Sequence, residues 1–90
     1  MNQQLSPREK SDMMYLILDT IYRHDDGICT RGISKIIKRN YEDVREMLDV
    51  LRSLMLVNEL FNNEKEPSED DWFLTHQGEF EFLKMVRNSL

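Results

Sequence analysis

Residues 33–57 read ISKIIKRNYEDVREMLDVLRSLMLV, two helical periods separated by a short polar break. In the first, Ile33, Ile36 and Ile37 recur at the spacing of one helix face. Lys38-Arg39-Asn40 closes that helix: cations favour the negative end of the helix dipole, and Asn40 suits the left-handed conformation of a helix terminus. Thr30 is placed to cap its other end. A second helix follows almost at once, from about Tyr41 to Leu54, with Val44, Met47, Leu48, Leu51 and Met55 marking its inner face. Two amphipathic helices joined by so short a turn form a helix-turn-helix.

On the N-terminal side, Ser6-Pro7-Arg8-Glu9 opens a further helix. Ser6 is its cap, proline suits the first helical position, and Glu9 is the capping-box partner. Met14, Ile17, Leu18 and Ile21 form its apolar face, and His24-Asp25-Asp26-Gly27 ends it, giving a helix over about 7–24. On the C-terminal side the periodicity changes. Val57–Phe61 reads as a strand and Trp72–Leu74 as its partner, separated by a charged loop over 62–71 that contains Pro67. Thr75 then caps a last helix over 76–89. With residues 1–5 expected to be disordered, the 90 residues make one domain: three helices, a strand, a wing loop, a strand and a fourth helix. That order, mainly α with a small β-hairpin, is the winged helix-turn-helix arrangement.

Three stretches resemble the small winged-helix regulators of archaea and of archaeal viruses and plasmids. Met14 to Ile21 resembles the family's ILxxI first helix. Residues 33–57 resemble its helix-turn-helix ending in LxxLGLI, and Leu74-Thr-His-Gln-Gly78-Glu-Phe-Glu-Phe-Leu83 resembles its LTxxGxxFL opening of the last helix. Met55 stands where that pattern has glycine. A bulky residue disfavours a left-handed terminus, so the third helix is expected to end differently and the first strand to start late. The resemblance implies a transcriptional regulator that binds double-stranded DNA.

The net charge of −5 argues against a sequence-blind polyanion binder. Its distribution matters more. Residues 1–53 carry nine Lys/Arg and nine Asp/Glu, whereas residues 54–90 carry three and eight. Cations gather at Arg23, Arg31, Lys35, Lys38 and Arg39. In a helix-turn-helix the second helix enters the major groove. Projected at about 100° per residue, that helix presents Glu42, Glu46, Asp49 and Ser53 outward and Arg45 and Arg52 on one shoulder. The candidate DNA contacts are therefore Arg31, Lys35, Lys38, Arg39, Asn40, Tyr41, Arg45 and Arg52. Arginine or asparagine would read base edges, and Lys38 and Arg39 would hold phosphates. Two other readings compete. The charges form only a solvated face with i,i+4 pairs, or the acidic ridge and wing bind a basic protein with little or no DNA affinity. Glu64, Glu66, Glu69, Asp70 and Asp71 make the wing a poor phosphate ligand.

The last helix carries one apolar stripe of Phe80, Leu83, Val86 and Leu90, with Phe82 and Met85 beside it. Met13, Tyr15, Leu16 and Tyr22 lie off the main stripe of the first helix. A broadened apolar face invites a partner, so a two-fold homodimer is expected through Tyr15, Tyr22, Phe82 and Met85, the alternative being that they complete a small core. No enzyme is expected. His24 and His76 are isolated, nothing has metal-ligand spacing, and three glycines form no phosphate loop. No cofactor, metal or small-molecule ligand is implied. Cys29 is read as a small interface or core residue, with an intermolecular disulfide as the alternative. No apolar run approaches the roughly 20 residues of a membrane span, and no leader pattern is visible, so the cytoplasm is the expected location.

Overall fold

Ser6 starts the first helix by accepting a hydrogen bond from the Glu9 backbone N–H at 3.1 Å. The Glu9 carboxylate meets the Ser6 hydroxyl, also at 3.1 Å, instead of the Ser6 backbone. The computed structural model describes residues 5–62 and 69–88. Its elements are α1 (Pro7–Arg23), β1 (Ile28–Cys29), α2 (Thr30–Ile37), α3 (Tyr41–Ser53), β2 (Val57–Asn62), β3 (Glu69–Leu74) and α4 (His76–Asn88). The strands form one antiparallel sheet in the order β1-β3-β2. This is a winged helix-turn-helix, mainly helical with a small sheet. The expected disorder of residues 1–4, the loop tip 63–68 and the stripe member Leu90 lie outside the described residues. Leu5 is described, and it packs partly buried against the core.

The hairpin is longer than its apolar residues suggested. Asn62, Glu69, Asp70 and Asp71, read as loop, belong to the ladder, with Phe61 opposite Asp70 and Leu60 opposite Asp71. β1 had no sequence signal. It is two residues long and exists because Ile28 and Cys29 pair with Trp72 and Asp71.

The core consists of Met13, Ile17, Leu18 and Ile21 of α1, Ile28, Ile33, four residues of α3, Leu56, Val57, Trp72 and Phe82. Three inner faces are rotated from their expected positions. In α1 it is Met13, with Ile17 and Ile21 four and eight residues on, that is buried, while Met14 is half-buried. In α2, Ile36 is 51% exposed, so Thr30 and Ile33 form the buried edge. In α4 the inner face is shifted, with Val86 kept from the expected stripe. Gly78 and Phe82 face the core with Met85 and Val86 beside them, and Phe80 and Leu83 face solvent.

Helix ends also differ. Thr30 does not cap α2; Cys29 does, its sulfur accepting from the Gly32 N–H at 3.4 Å. Thr30 is instead spent on the indole of Trp72, which donates to its hydroxyl at 2.9 Å. Lys38, not Asn40, takes the left-handed conformation that closes α2, at φ 57°. Asn40 caps α3, accepting from the N–H groups of Glu42 and Asp43.

Met55 is the clearest correction. It does adopt the left-handed conformation, at φ 64°, and β2 starts at Val57 as read. Its N–H bonds the Arg52 carbonyl and the Leu56 N–H bonds the Leu51 carbonyl, each at 2.9 Å, the paired closure normally built around glycine. Burial of Leu51 and Leu56 accompanies those bonds and outweighs the strain. The Met55 side chain, expected inward, is 74% exposed.

This turn receives α4. Thr75 donates its backbone N–H to the Leu56 carbonyl at 3.1 Å and its hydroxyl to the Met55 carbonyl at 2.7 Å. The Thr75 hydroxyl accepts from the Gly78 N–H at 2.9 Å. A Cβ at Gly78 would overlap the Leu56 carbonyl, lying within 2.8 Å of its carbon. The Thr-x-x-Gly spacing is therefore a contact requirement between α4 and the end of α3. Among the described residues no helix is long and apolar enough to cross a membrane.

These two positions give opposite expectations in thermal unfolding. Met55→Gly relieves left-handed strain of roughly 1–2 kcal/mol, partly offset by a freer unfolded chain, and should raise Tm by a few degrees. Gly78→Ala forces backbone apart at a cost of roughly 1–3 kcal/mol and should lower Tm by about 5–15 °C.

Candidate nucleic-acid interface

The turn between α2 and α3 is built by its own sequence. The Ser34 carbonyl accepts the N–H of Lys38 and of Arg39, and the Ser34 hydroxyl donates to the Arg39 carbonyl at 2.6 Å. Lys38 and Arg39 project from this braced turn and Lys35 from the last turn of α2, all three exposed. No ion pair ties their side chains among the described residues. Tyr41 is also exposed, at the first turn of α3. Asn40 is exposed, but its Oδ1 is occupied by two backbone N–H groups. It cannot pair both edges of its amide with a base without giving up the cap. Arg31 is exposed on α2 and has a partner of its own.

The arginine shoulder of α3 stands differently. Arg52 Nη1 lies 2.6 Å from Glu59 Oε1, and Arg45 Nη1 lies 3.4 Å from Glu59 Oε2. Asp49 closes the group from the same helix, 3.7 Å from Arg45 Nε and 3.5 Å from Arg52 Nη2. The Arg45 guanidinium also sits over the Trp72 ring, 5.7 Å from its centroid. Arg45 and Arg52, expected to read bases, are thus held against the wing by a carboxylate of β2. Sequence could not show this, because Glu59 lies in a strand whose facing helix is set by the tertiary fold.

Burial pushes the Glu59 carboxyl above the usual carboxylate range. The neighbouring Asp70 adds to this, by a hydrogen bond and by repulsion, while Arg45 and Arg52 pull the other way. Across α3 the ridge of Glu42, Glu46, Asp49 and Ser53 is exposed as projected, and Val50 is exposed beside it.

Of the residues assigned to a dimer contact, Phe82, Tyr15 and Met85 are packed within the chain. Phe82 is 3% exposed, its ring 5.7 Å from that of Tyr15 and 5.0 Å from that of Tyr22. Tyr15 and Met85 pack partly buried on the core. Completion of a small core describes Phe82, Tyr15 and Met85, whereas Tyr22 is 43% exposed beside them. The apolar groups that α4 leaves exposed are Phe80 and Leu83, with Lys84 Nζ 5.5 Å from the Phe80 ring centroid. Cys29 is half-buried as the α2 cap. The described residues contain no group of three or more His, Cys, Asp or Glu side chains able to hold a metal ion.

The raised Glu59 value fixes the sign of one stability measurement. A folded state that holds this proton more tightly than the unfolded chain loses stability from it as pH rises from about 4.5 through the folded value. Glu59→Gln has no such proton. Relative to wild type it should therefore gain stability between about pH 4 and pH 7 in paired denaturant titrations; a growing loss over that range would reverse the assignment.

No family model and no curated protein sequence matches the chain. Solved structures do share its fold. S. aureus MepR, in a complex with DNA, matches 90% of this chain and 73% of its own, with a TM-score of 0.72 and 18% identity. YusO of Bacillus subtilis matches 89% of this chain with a TM-score of 0.77 and 17% identity. A MarR mutant from E. coli, complexed with operator DNA, matches 79% with a TM-score of 0.71 and 21% identity. The chain spans 57% of the length of YusO, 49% of that of MarR and 59% of that of a further MepR mutant. At such identities the likeness establishes one thing: this chain has the winged helix-turn-helix fold found in MepR, YusO and MarR.

Proposed function

We propose that the chain is a sequence-specific, non-catalytic DNA-binding protein that acts as a transcriptional regulator in the cytoplasm. The observation that carries this is the braced α2–α3 turn, which holds Lys35, Lys38 and Arg39 in solvent at the leading end of α3. In a helix-turn-helix this is where phosphates lie when the second helix enters the major groove. Structures of the same fold in complexes with DNA, those of MepR and MarR, support the reading. Kinship with the small archaeal regulators rests on the three sequence stretches alone. Base reading falls to Tyr41, while Arg45 and Arg52 reach the duplex, at phosphates or base edges, once they leave Glu59; Arg31 and Asn40 are secondary candidates because both are engaged.

Lys38→Ala should weaken binding to all duplexes alike and flatten the dependence of log affinity on log salt by about one unit, as loss of one phosphate contact requires. The exposed ridge of Glu42, Glu46 and Asp49 supports the competing reading, a module that binds a basic protein. Wild-type protein that binds no duplex at low salt, together with a Glu46→Lys variant that does, would decide for that module.

We further propose a two-fold homodimer, with its contact moved to the outer face of α4. Phe80 is 59% exposed and Leu83 is 43% exposed, three residues apart on one helix face. Two copies would set their α3 helices roughly 34–36 Å apart, one turn of duplex. Phe80→Glu should convert dimer to monomer in sedimentation equilibrium and leave the circular dichroism spectrum unchanged. A wild-type monomer at micromolar concentration would remove the model.

A further inference from the structure

Glu59 contributes little to the hydrophobic core and yet is mostly buried, its side chain 14% exposed between α3 and the sheet. It stands on the face of β2 that turns toward α3, opposite Trp72 in the ladder. Each of its oxygens is given to a different arginine, Oε1 to Arg52 and Oε2 to Arg45. Those arginines are the only cations on α3, and without Glu59 they would flank the helix that a duplex must approach. Their other carboxylate partner among the described residues, Asp49, rides on α3 itself and is about half-exposed, so it moves with them and holds them only in solvent; Arg45 also keeps the Trp72 ring.

We propose that Glu59 is a positioning residue that sets the DNA affinity of this surface, holding Arg45 and Arg52 against the wing until a phosphate displaces it. The proposal rests on the DNA-binding reading above. Its basis is competition: a guanidinium bound to a carboxylate is not available to a phosphate, and both ligands want the same fork of N–H donors. The groups that face Glu59 are Arg45, Asp49 and Arg52 from α3 and Asp70 from β3. Strand alternation turns Asp71 to the other face of the sheet. Burial and Asp70 oppose the charge on Glu59 and outweigh the support of the arginines, so acidification takes its charge, and with it its hold, more readily than from an ordinary carboxylate. Opening frees the donors of two guanidiniums, already 40% and 49% exposed beside the Glu46 and Asp49 ridge, which shifts the balance of charge on α3 toward the duplex.

The test measures binding of a labelled random-sequence duplex by wild type, Glu59→Gln, the Arg45→Gln/Arg52→Gln pair and the triple variant, across salt and from about pH 5 to about pH 8. Circular dichroism checks that each is folded. Glu59→Gln should bind roughly three- to tenfold more tightly at the higher pH, the gain expected from releasing two weak ion pairs. Its salt dependence should steepen by about one to two units as the freed arginines meet phosphates. Its affinity should also change less with pH than that of wild type. In the background without Arg45 and Arg52, Glu59→Gln should change none of these. Unchanged or weaker binding by Glu59→Gln, or an equal gain in the arginine-free background, overturns the latch while wild-type binding leaves the DNA reading standing. Should Glu59→Gln fail to fold, wild type is compared with the arginine pair. A pH profile that is the same in both overturns the latch, and a steeper gain on acidification in wild type supports it. If neither wild type nor any variant binds saturably at low salt, the DNA reading itself falls and the latch with it.

Discussion

The fold depends on one buried indole. Trp72 is fully buried at the middle of the central strand, with Ile28 opposite it on one side and Glu59 on the other. A buried indole N–H left unpaired would cost about 1–3 kcal/mol, and Thr30 supplies its acceptor at the first residue of α2. The same ring lies beneath the Arg45 guanidinium of α3. One side chain thus touches the wing, the start of the first helix of the pair and the flank of the second. It fixes the angle at which the hairpin meets the helix-turn-helix. That explains why Thr30 cannot serve as a helix cap: its hydroxyl is already committed across 42 residues of chain. Cys29 takes over as cap with a weak sulfur acceptor, the poorer choice locally and the better one for the whole.

A second junction carries the other end of the domain. Helix α3 ends in a paired closure with Met55 in the left-handed conformation, and Thr75 and Gly78 lock α4 onto the carbonyls that this closure presents. Glycine is required at 78 by contact and would only be preferred at 55 by strain. The chain keeps the first and dispenses with the second, as the energies allow: an overlap with backbone cannot relax, whereas a left-handed methionine costs roughly 1–2 kcal/mol and keeps its side chain in water. The resulting direction of α4 turns Phe82 inward onto Tyr15 and Tyr22 and leaves Phe80 outside.

The electrostatics follow from these two junctions. Cations at the α2–α3 turn are held out by backbone hydrogen bonds and stay available, while cations on α3 lie where β2 can reach them and are bound by Glu59. A surface with acidic excess can therefore still present a narrow positive edge to a polyanion. How wide that edge is depends on whether Glu59 keeps its arginines.

Residues 33–57 and the order of elements around them were enough to read a winged helix-turn-helix, because helix periodicity, caps and a short polar break are local properties of the chain. The exposed turn cations Lys35, Lys38 and Arg39 and the acidic ridge of α3 were legible for the same reason: their positions need only the helix repeat. Tertiary structure decided what local pattern leaves degenerate. Phe80, Leu83 and Val86 make as good a stripe as Gly78, Phe82 and Met85 when α4 is considered alone, and only the contact of Gly78 with Leu56 selects between them. Arg45 and Arg52 look free on a helical projection, and only the packing of β2 against α3 supplies Glu59. β1 has no periodicity to read, since two residues become a strand only when Trp72 and Asp71 lie alongside. Local spacing determined the elements; contacts between residues far apart in the chain decided which faces they turn inward and which charges they leave for a partner.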